Sequence, residues 1–208
     1  YKTDINNEGI LVDLKSGESM ILQTYNNVLP TNDIEQIKFE GTEKQLTDKW
    51  SLSFVESAPA INSTYTLDNI QTWETLNNDT AKIMMGTGVY TTTVNMTKDE
   101  AKAKWAINLG DVRESARVYV NDNFVGCAWS VPFILDCKDA FKAGKNTLRI
   151  EVTNLPANRI SEMDRQGVKW RKFDEINVVD INYKKTSYAN WKAVKSGLNS
   201  SVTLLKLK

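Results

Sequence analysis

The chain has 208 residues, of which 41% are hydrophobic and 25% charged, with a formal net charge of +0. This balance is ordinary for a globular protein, and it argues against nucleic acid or an anionic membrane as the main partner, because both reward a basic surface. Histidine is absent, which excludes Ser-His and Cys-His nucleophile pairs and every zinc site that needs an imidazole.

The amino-terminal part is predicted to be a β lead-in, residues 1–49, that packs on or belongs to a preceding domain. Its alternating residues, turn and following apolar run predict a hairpin over about 10–24, and a further strand is expected over 34–39. The start at Tyr1, with no basic or apolar leader, is interpreted as an excised piece or a mature product. The second unit, residues 50–208, begins with a predicted strand, Trp50 to Val55.

The rest of the chain keeps a period of two, which is typical of sheets buried on one side. After a looser stretch, Gly86-Thr87-Gly88 is predicted to be a turn before the strand "VYTTTV". Inward faces are predicted for Trp105, Ile107 and Leu109 in one strand, with Ala106 and Asn108 pointing away, and for Leu148, Ile150 and Val152 in another. Without βαβ alternation, the pattern predicts an all-β antiparallel β-sandwich with one or two short helical turns.

Three local features refine this prediction. Asn121-Asp122 suits a two-residue hairpin turn, because both residues tolerate positive φ. Helical turns are expected over 97–104, with Thr97 as N-cap and Glu100 in a capping box, and over 137–144, ended by Gly144. Cys127 and Cys137 could pair across neighbouring strands in a secreted protein, but two free, buried thiols are the favoured interpretation.

Residues 154–191 break the rhythm, since they are dense in Arg, Asp, Trp and Tyr and carry only a short strand signal over 176–181. A sandwich core does not need such a segment. Long loops of this composition are either functional surfaces or packing surfaces for a neighbouring domain.

Five segments in order resemble the sugar-binding, jelly-roll domain of glycoside hydrolase family 2, a galactose-binding-like sandwich. They are Gly88-Val89-Tyr90, "INLGDV", "VYVNDNFVG", "VPFILD" and "FKAGKNTLRIEV". Asp122 stands where that family usually has a turn glycine. The resemblance implies a galactose-binding-like jelly roll over about residues 86–154.

The flanking segments extend the resemblance to the carboxy-terminal sandwich region of family 106 α-L-rhamnosidases. The segments "WSLSFV", "TNLPANRI" and, near the end, Trp191 followed by Ser196-Gly197-Leu198, Val202 and Leu204 carry it. The resemblance implies a parent enzyme that acts on polysaccharide in the periplasm or outside the cell. Its catalytic carboxylates would lie in an upstream domain, so no catalytic residue is assigned here.

Trp129, just before the Val131-Pro132 turn, is the first candidate for sugar contact, because pyranose C–H groups stack on exposed aromatic faces. The alternative, slightly favoured, is that its indole fills one end of the core. Trp50 and Trp105 lie in strand phase and are expected to be buried.

The polar candidates lie in the long loop. Asn158 and Arg159 offer the planar donors that diol recognition uses, or Arg159 ties the loop to Glu162 or Asp164. Asp164 and Arg165, with Trp170 and Arg171, add polar and aromatic groups, or form a solvated or interdomain surface.

Hydrolysis by this chain itself is the least favoured prediction. Glycosidases need two carboxyl groups about 5 to 10 Å apart across a cleft, and Glu162 with Asp164, or Asp174 with Glu175, are only neighbours in sequence. No cofactor is predicted; structural calcium is conceivable in such a sandwich but is left unassigned. The sequence thus predicts a non-catalytic accessory or carbohydrate-binding domain, or a purely structural interdomain module, with carbohydrate and an upstream catalytic domain as partners and neither nucleic acid nor membrane.

Overall fold

The structure is a computed structural model that describes residues 12, 14, 16–23, 26, 38–173 and 181–208. Most of the first arm of the predicted hairpin, most of the strand predicted over 34–39 and the strand signal over 176–180 lie outside these residues. A turn is present at Ser16-Gly17, but residues 18–23 form no strand.

The described residues form strands and short helices whose bounds are as follows. The strands are β1 Phe39–Gln45, β2 Trp50–Ala58, β3 Tyr65–Leu67, β4 Met85–Met96, β5 Trp105–Asn108, β6 Val112–Arg113, β7 Ser115–Val120, β8 Asn123–Ala128, β9 Ile134–Asp136, β10 Gly144–Thr153, β11 Gly197–Leu198 and β12 Thr203–Leu207. The α-helices are α1 Asp79–Ile83 and α2 Ala157–Arg165, and single 3₁₀ turns span Trp73–Thr75 and Glu100–Lys102.

Two antiparallel sheets enclose the core, as the sequence predicts. The larger sheet has the order β3-β2-β4-β10-β7-β8, and the smaller has the order β1-β12-β5-β9. A short β11-β6 pair lies outside both sheets. The fold is an all-β sandwich, and β1 is an edge strand of it, since Phe39–Gln45 pairs with β12.

The strand phases follow the predicted alternation. Leu148, Ile150 and Val152 on β10 are fully buried, and burial of each such side chain is worth about 1.5–3 kcal/mol. Trp50 and Trp105 are core residues, as expected. Ala106 differs from the prediction because it too is buried; it lies on a strand paired on both sides, opposite Leu205 and Asp136.

The Asn121-Asp122 turn is confirmed. Asn121 and Asp122 have φ of 50° and 64°, and β7 and β8 pair antiparallel on either side. The Asn121 carboxamide oxygen also accepts a hydrogen bond from the Thr147 amide at 3.0 Å. The turn is therefore fixed to β10 as well as closed by its own backbone.

The two predicted helical turns had different outcomes. The capping box at 97–104 is present, since Thr97 N donates to Glu100 Oε2 at 2.7 Å and Glu100 N to Thr97 Oγ1 at 3.1 Å. It starts only one 3₁₀ turn, because β5 begins at Trp105. The helical turn over 137–144 is wrong: the Asn146 side chain bonds both the amide and the carbonyl of Lys142 and holds this segment as a loop.

The predicted turn at Gly86-Thr87-Gly88 is wrong, because all three residues lie within β4. Gly88 is needed there for packing rather than for turning: a Cβ at this position would lie 2.5 Å from Cζ2 of Trp73. Trp73, which is 0% exposed, fills the space above the glycine.

Trp73, Gly88, Tyr90 and Gly197 together form the Trp73 cluster. Trp73 Nε1 donates to Tyr90 Oη at 2.7 Å, and Leu198 N donates to the same oxygen at 3.2 Å. Burial raises the pKa of Tyr90 to about 12. Gly197 has φ of +88°, and a Cβ there would collide with the Trp73 indole and the Tyr90 hydroxyl. The Ser-Gly-Leu segment near the carboxyl end therefore serves the core.

Both cysteines are free, and only Cys137 is buried. Burial raises the pKa of its thiol to about 12. Cys127 is exposed, contrary to the prediction, because it lies on β8, an edge strand of the larger sheet.

Candidate functional site

The segment predicted to be a long loop contains α2, and this is the main correction to the sequence analysis of residues 154–191. The helix follows Pro156 and ends before Gly167, whose φ is +65°. Gly167 N donates to Asp164 O at 3.1 Å and Val168 N to Met163 O at 2.8 Å, which closes the carboxyl end. This helix presents four of the predicted site residues, Asn158, Arg159, Asp164 and Arg165.

Asn158 is buried, and its side chain holds the segment that returns along α2. Its Nδ2 donates to Val194 O at 2.8 Å, and Val194 N donates to its Oδ1 at 2.9 Å. The carboxamide oxygen and nitrogen of Asn158 thus both bind the Val194 backbone. Asn158 therefore fixes the position of the returning segment beside α2.

Arg159 lies half-buried on α2. Within the described residues it makes no ion pair, but its charge adds to the effect of Arg165, whose hydrogen bond is the main cause that holds the pKa of Glu162 below its usual range. The expected tie between Arg159 and a carboxylate is thus a weak electrostatic one. Arg165 makes the direct bond, with its Nη2 2.7 Å from Glu162 Oε2.

Asp164 organises the aromatic side chains beyond the helix. Its Oδ1 accepts from Trp170 Nε1 at 2.6 Å, and its Oδ2 accepts from Tyr188 N at 2.7 Å. These hydrogen bonds, that of Tyr188 first, lower the pKa of Asp164. Its carboxylate therefore connects the chain after α2 to the chain that returns.

Trp170, Tyr188 and Trp191 form the aromatic cluster. The ring centroids of Tyr188 and Trp191 are 4.4 Å apart and those of Trp170 and Tyr188 are 6.1 Å apart. The guanidinium of Arg171 lies 5.0 Å from the Trp170 and Tyr188 ring centroids, within the range of cation–π attraction. The outermost ring, Trp191, is 50% exposed.

A groove of about 220 Å³ opens between α1, α2 and this cluster. Most of its lining is provided by Lys82 and Ile83 of α1, Asn158, Ser161 and Arg165 of α2, and Trp191. An exposed indole thus lies beside two cations and an amide. Such a combination suits a polar ligand with a flat apolar side, because the ring can stack while the cations donate hydrogen bonds.

Trp129 is exposed, contrary to the favoured prediction that it belongs to the core. Its exposed fraction is 76%, because β8 ends at Ala128 and Trp129 lies beyond the last cross-strand pair. The groove lies at the same end of the sandwich as Trp129 but beside β4, since α2 packs on α1 and β4. Edge strand β8 is three strand spacings from β4, about 14 Å, so Trp129 forms a separate surface.

Sequence reasoning did not find Lys82, Tyr188 or Trp191. Lys82 gave no signal because it joins the groove from α1, far upstream. Tyr188 and Trp191 carried a usable sequence signal, because the two aromatics flank an Ala-Asn pair typical of a turn. In the structure, the Tyr188 carbonyl accepts from the Trp191 amide at 3.0 Å.

The carboxylates proposed as hydrolytic pairs do not face one another across a cleft. Glu162 binds Arg165 and Gln166, and Asp164 binds Trp170 and Tyr188; Asp174 and Glu175 lie outside the described residues. Within the ranges that the structure describes, no three His, Cys, Asp or Glu side chains group as metal ligands. In the same ranges no helix has the length and apolar character to cross a bilayer.

Two antiparallel sheets with few helices are the architecture of a galactose-binding-like β-sandwich. The chain belongs to the glycosyl hydrolase 2 galactose-binding domain-like family, whose sequence model matches residues 70–195. This confirms the resemblance given by the sequence motifs.

Several larger proteins contain a similar region. A Formosa agariphila protein named "Putative beta-glucuronidase" is 27% identical over 196 residues, which cover 86% of this chain and 17% of that protein. The structure of a rhamnosidase from Novosphingobium sp. PP1Y matches with a TM-score of 0.62 and 22% identity, over 88% of this chain and 16% of that one. A β-D-glucuronidase of Dictyoglomus thermophilum matches with a TM-score of 0.53 and 14% identity, over 80% of this chain and 28% of that one. The two solved structures share the fold, and the chain spans less than a third of each of these three proteins.

Proposed function

We propose that this chain is the non-catalytic accessory domain of an α-L-rhamnosidase-like glycoside hydrolase and that it binds carbohydrate through the groove between α1 and α2. Family membership supports the first part. The small share of the relatives that the chain spans supports a separate catalytic domain as partner. Action on polysaccharide in the periplasm or outside the cell belongs to the same proposal.

The observation that carries the proposal is the half-exposed indole of Trp191 beside Lys82 and Arg165. A sugar ring has apolar C–H faces and a rim of hydroxyl groups, so it needs a flat aromatic surface and nearby directional donors. Tyr188 of the aromatic cluster packs against the Trp191 ring, with ring centroids 4.4 Å apart. The platform is thereby formed before a ligand arrives, which reduces the entropic cost of binding.

Calorimetric titration with rhamnose- and galactose-containing polysaccharides tests the proposal. We expect a dissociation constant of about millimolar or better, corresponding to at least about 4 kcal/mol of binding free energy. Trp191→Ala should abolish binding. Trp129→Ala, which removes another exposed indole, is the matched control and should bind like the parent chain. A screen without binding, or equal binding by both variants, would overturn the proposal, as would release of reducing sugar by this chain alone.

A purely structural interdomain role is the second candidate, and the exposed pair of Trp129 and Val131 favours it. Their exposed fractions are 76% and 48%, and clustered exposed apolar side chains often mark a protein contact. In this case, hydrogen exchange around Trp129 should be slower in a longer parent protein than in this chain by itself. Equal exchange in both would contradict a contact at Trp129.

A further inference from the structure

We infer that the groove selects an anionic sugar, a pyranose that carries a carboxylate or sulfate group, over a neutral one. The inference rests on the proposed function, since it names the class of glycan that the same groove would bind. It comes from the placement of charge around Trp191 and from the hydrogen-bonding capacity that the groove cations retain.

The segment that contributes Arg165, Trp191 and Ala193 to the groove is basic in sequence, although the whole protein is neutral. Residues 165–195 contain eight Lys and Arg against three Asp and Glu, a formal charge of +5 in a chain whose total is +0. Lys192 and Lys195 flank the groove residue Ala193 in sequence, and the charge of Lys195 also acts on Asp111. A concentration of one sign of charge beside a cleft raises the local concentration of oppositely charged ligands.

The described lining of the groove includes Lys82 and Arg165 but neither Asp nor Glu, and the carboxylates that pair with these cations, Asp79 and Glu162, lie outside that lining. The two nearest acids of α2 are already engaged. Glu162 accepts from Arg165 and Gln166, and Asp164 accepts from Trp170 and Tyr188. A ligand anion in the groove would therefore meet the remaining donors of Lys82 and Arg165, with the nearby carboxylates already bound to other groups.

Lys82 and Arg165 keep donors for such an anion. The Lys82 ammonium has three N–H groups and spends one on Asp79, at 2.7 Å, in a pair open to solvent. Arg165 has five: Nε binds Glu162, Nη1 binds Ser161 and Ala189, and Nη2 binds Glu162 again. Two donors on Lys82 and one on Arg165 thus remain, a set that suits the acceptor oxygens of one carboxylate or sulfate.

The size and remaining walls of the groove suit a single sugar ring. Its volume of about 220 Å³ lies below the ~300–1,000 Å³ of sites for larger ligands. Ile83 and Ala193 provide apolar contact, and the indole of Trp191 provides a stacking face. A ring stacked on Trp191 would direct one edge substituent toward the cations.

The test compares two forms of one polymer by calorimetry: polygalacturonate, and the same polymer after chemical reduction of its carboxyl groups. Dextran sulfate against dextran provides the sulfate arm. We expect at least one anionic polymer to bind about tenfold more tightly than its neutral counterpart and to weaken as salt rises, because screening acts on the charge term.

Lys82→Gln and Lys102→Gln form the matched pair of variants. Both lysines make a solvent-exposed i,i+3 ion pair, Lys82 with Asp79 and Lys102 with Asp99, but Lys102 lies in the 3₁₀ turn before β5, away from the groove. Lys82→Gln should reduce affinity for the anionic polymer about fivefold more than affinity for the neutral form, because the glutamine amide can still donate a hydrogen bond but carries no charge. Lys102→Gln should change neither.

The outcomes separate this inference from the proposed function. Equal binding of charged and neutral polymers, lost in Trp191→Ala, would overturn the anion preference and leave glycan binding at the groove intact. Binding of the anionic polymer that Trp191→Ala leaves intact, or that both lysine variants reduce equally, would show nonspecific attraction and overturn the inference. Binding of no polymer in this or the neutral screen would remove the proposed function itself.

Discussion

Trp73 and Trp191 both contact a tyrosine, yet one is fully buried and the other is half exposed. Trp73 is 0% exposed, donates to the Tyr90 hydroxyl and faces two glycines that have no room for a side chain. Trp191 is half exposed, and its neighbours are held by hydrogen bonds within residues 164–191. The Trp73 cluster joins the strands, whereas the aromatic cluster is supported by its own segment.

This difference indicates which aromatic residues can be changed without loss of the fold. A residue enclosed by close-packed neighbours contributes to stability and has no surface left for a ligand. A ring supported from one side has a free face, and its removal costs the core little. Core stability and glycan contact are therefore assigned to different tryptophans, and the next four experiments test that assignment.

Gly197→Ala should cause the largest loss in the free energy of unfolding. The substitution places a Cβ within 2.7 Å of Trp73 Cδ1 at a residue with φ of +88°, which combines overpacking with backbone strain and should cost about 3–4 kcal/mol. Urea unfolding measures it. Gly144→Ala is the matched control, since its φ is +91° and nothing lies within 4 Å of its Cβ position, so only the strain of about 1 kcal/mol should remain. Equal losses would show that the Trp73 cluster is not tightly packed.

Tyr90→Phe should have the next largest effect. Removal of the hydroxyl leaves Trp73 Nε1 and Leu198 N without their buried acceptor, and we expect a loss of about 2 kcal/mol in urea unfolding. Tyr119→Phe on the outer face of the same sheet is the control and should be near neutral. A neutral Tyr90→Phe would mean that the two donors find other acceptors.

The same variant predicts a pH dependence. The folded pKa of Tyr90 is raised to about 12 from an ordinary value of 10.0, so between these values the unfolded chain has lost a proton that the folded chain retains. The contribution of Tyr90 to the free energy of unfolding is complete below pH 10. It falls by about 1.4 kcal/mol per pH unit between pH 10 and 12. Tyr90→Phe should lose less stability than the parent chain between pH 10 and 12; parallel curves would contradict the raised pKa.

Asp164→Ala should give the smallest effect on the whole fold and a clear one locally. It removes the acceptor of Trp170 Nε1 and Tyr188 N, so we expect the Tyr188 amide to exchange at least about tenfold faster, while the urea midpoint stays unchanged. Asp99→Ala is the control and should leave Tyr188 unaffected. The pKa of Asp164 is lowered from 3.8. Its stabilising effect on the segment around Tyr188 is therefore complete above pH 3.8 and disappears as the pH falls through the folded pKa. A drop in the global midpoint would show that the two regions are coupled.

Much of the sandwich could be predicted from sequence, because its signals are local. The alternation at Leu148, Ile150 and Val152, the Asn121-Asp122 turn and the Thr97–Glu100 capping box each arise within a few residues. The turn predicted at Gly86–Gly88 failed for a non-local reason. Gly88 makes room for Trp73, and a glycine required by a distant side chain looks in sequence like one required by a turn.

The candidate site was predicted less well, because α2 hides its helical character. The helix buries the polar residues Asn158 and Ser161, so hydrophobic periodicity cannot find it. Its boundaries, Pro156 before and Gly167 after, were the available signal. Trp170 and Arg165 were chosen for their chemistry and do lie in or beside the site, while Trp129 is exposed but on another surface.

The position of β12 between β1 and β5 has a consequence for how the chain folds. The smaller sheet pairs Phe39 with Leu207 and Ala106 with Leu205, so β12, one of its two interior strands, lies far in sequence from both of its neighbours. Contacts between residues so far apart in sequence are costly to close and are made late. The larger sheet, whose strands lie within residues 50–153, can therefore form before the smaller sheet, which is completed only when β12 pairs with β1 and β5.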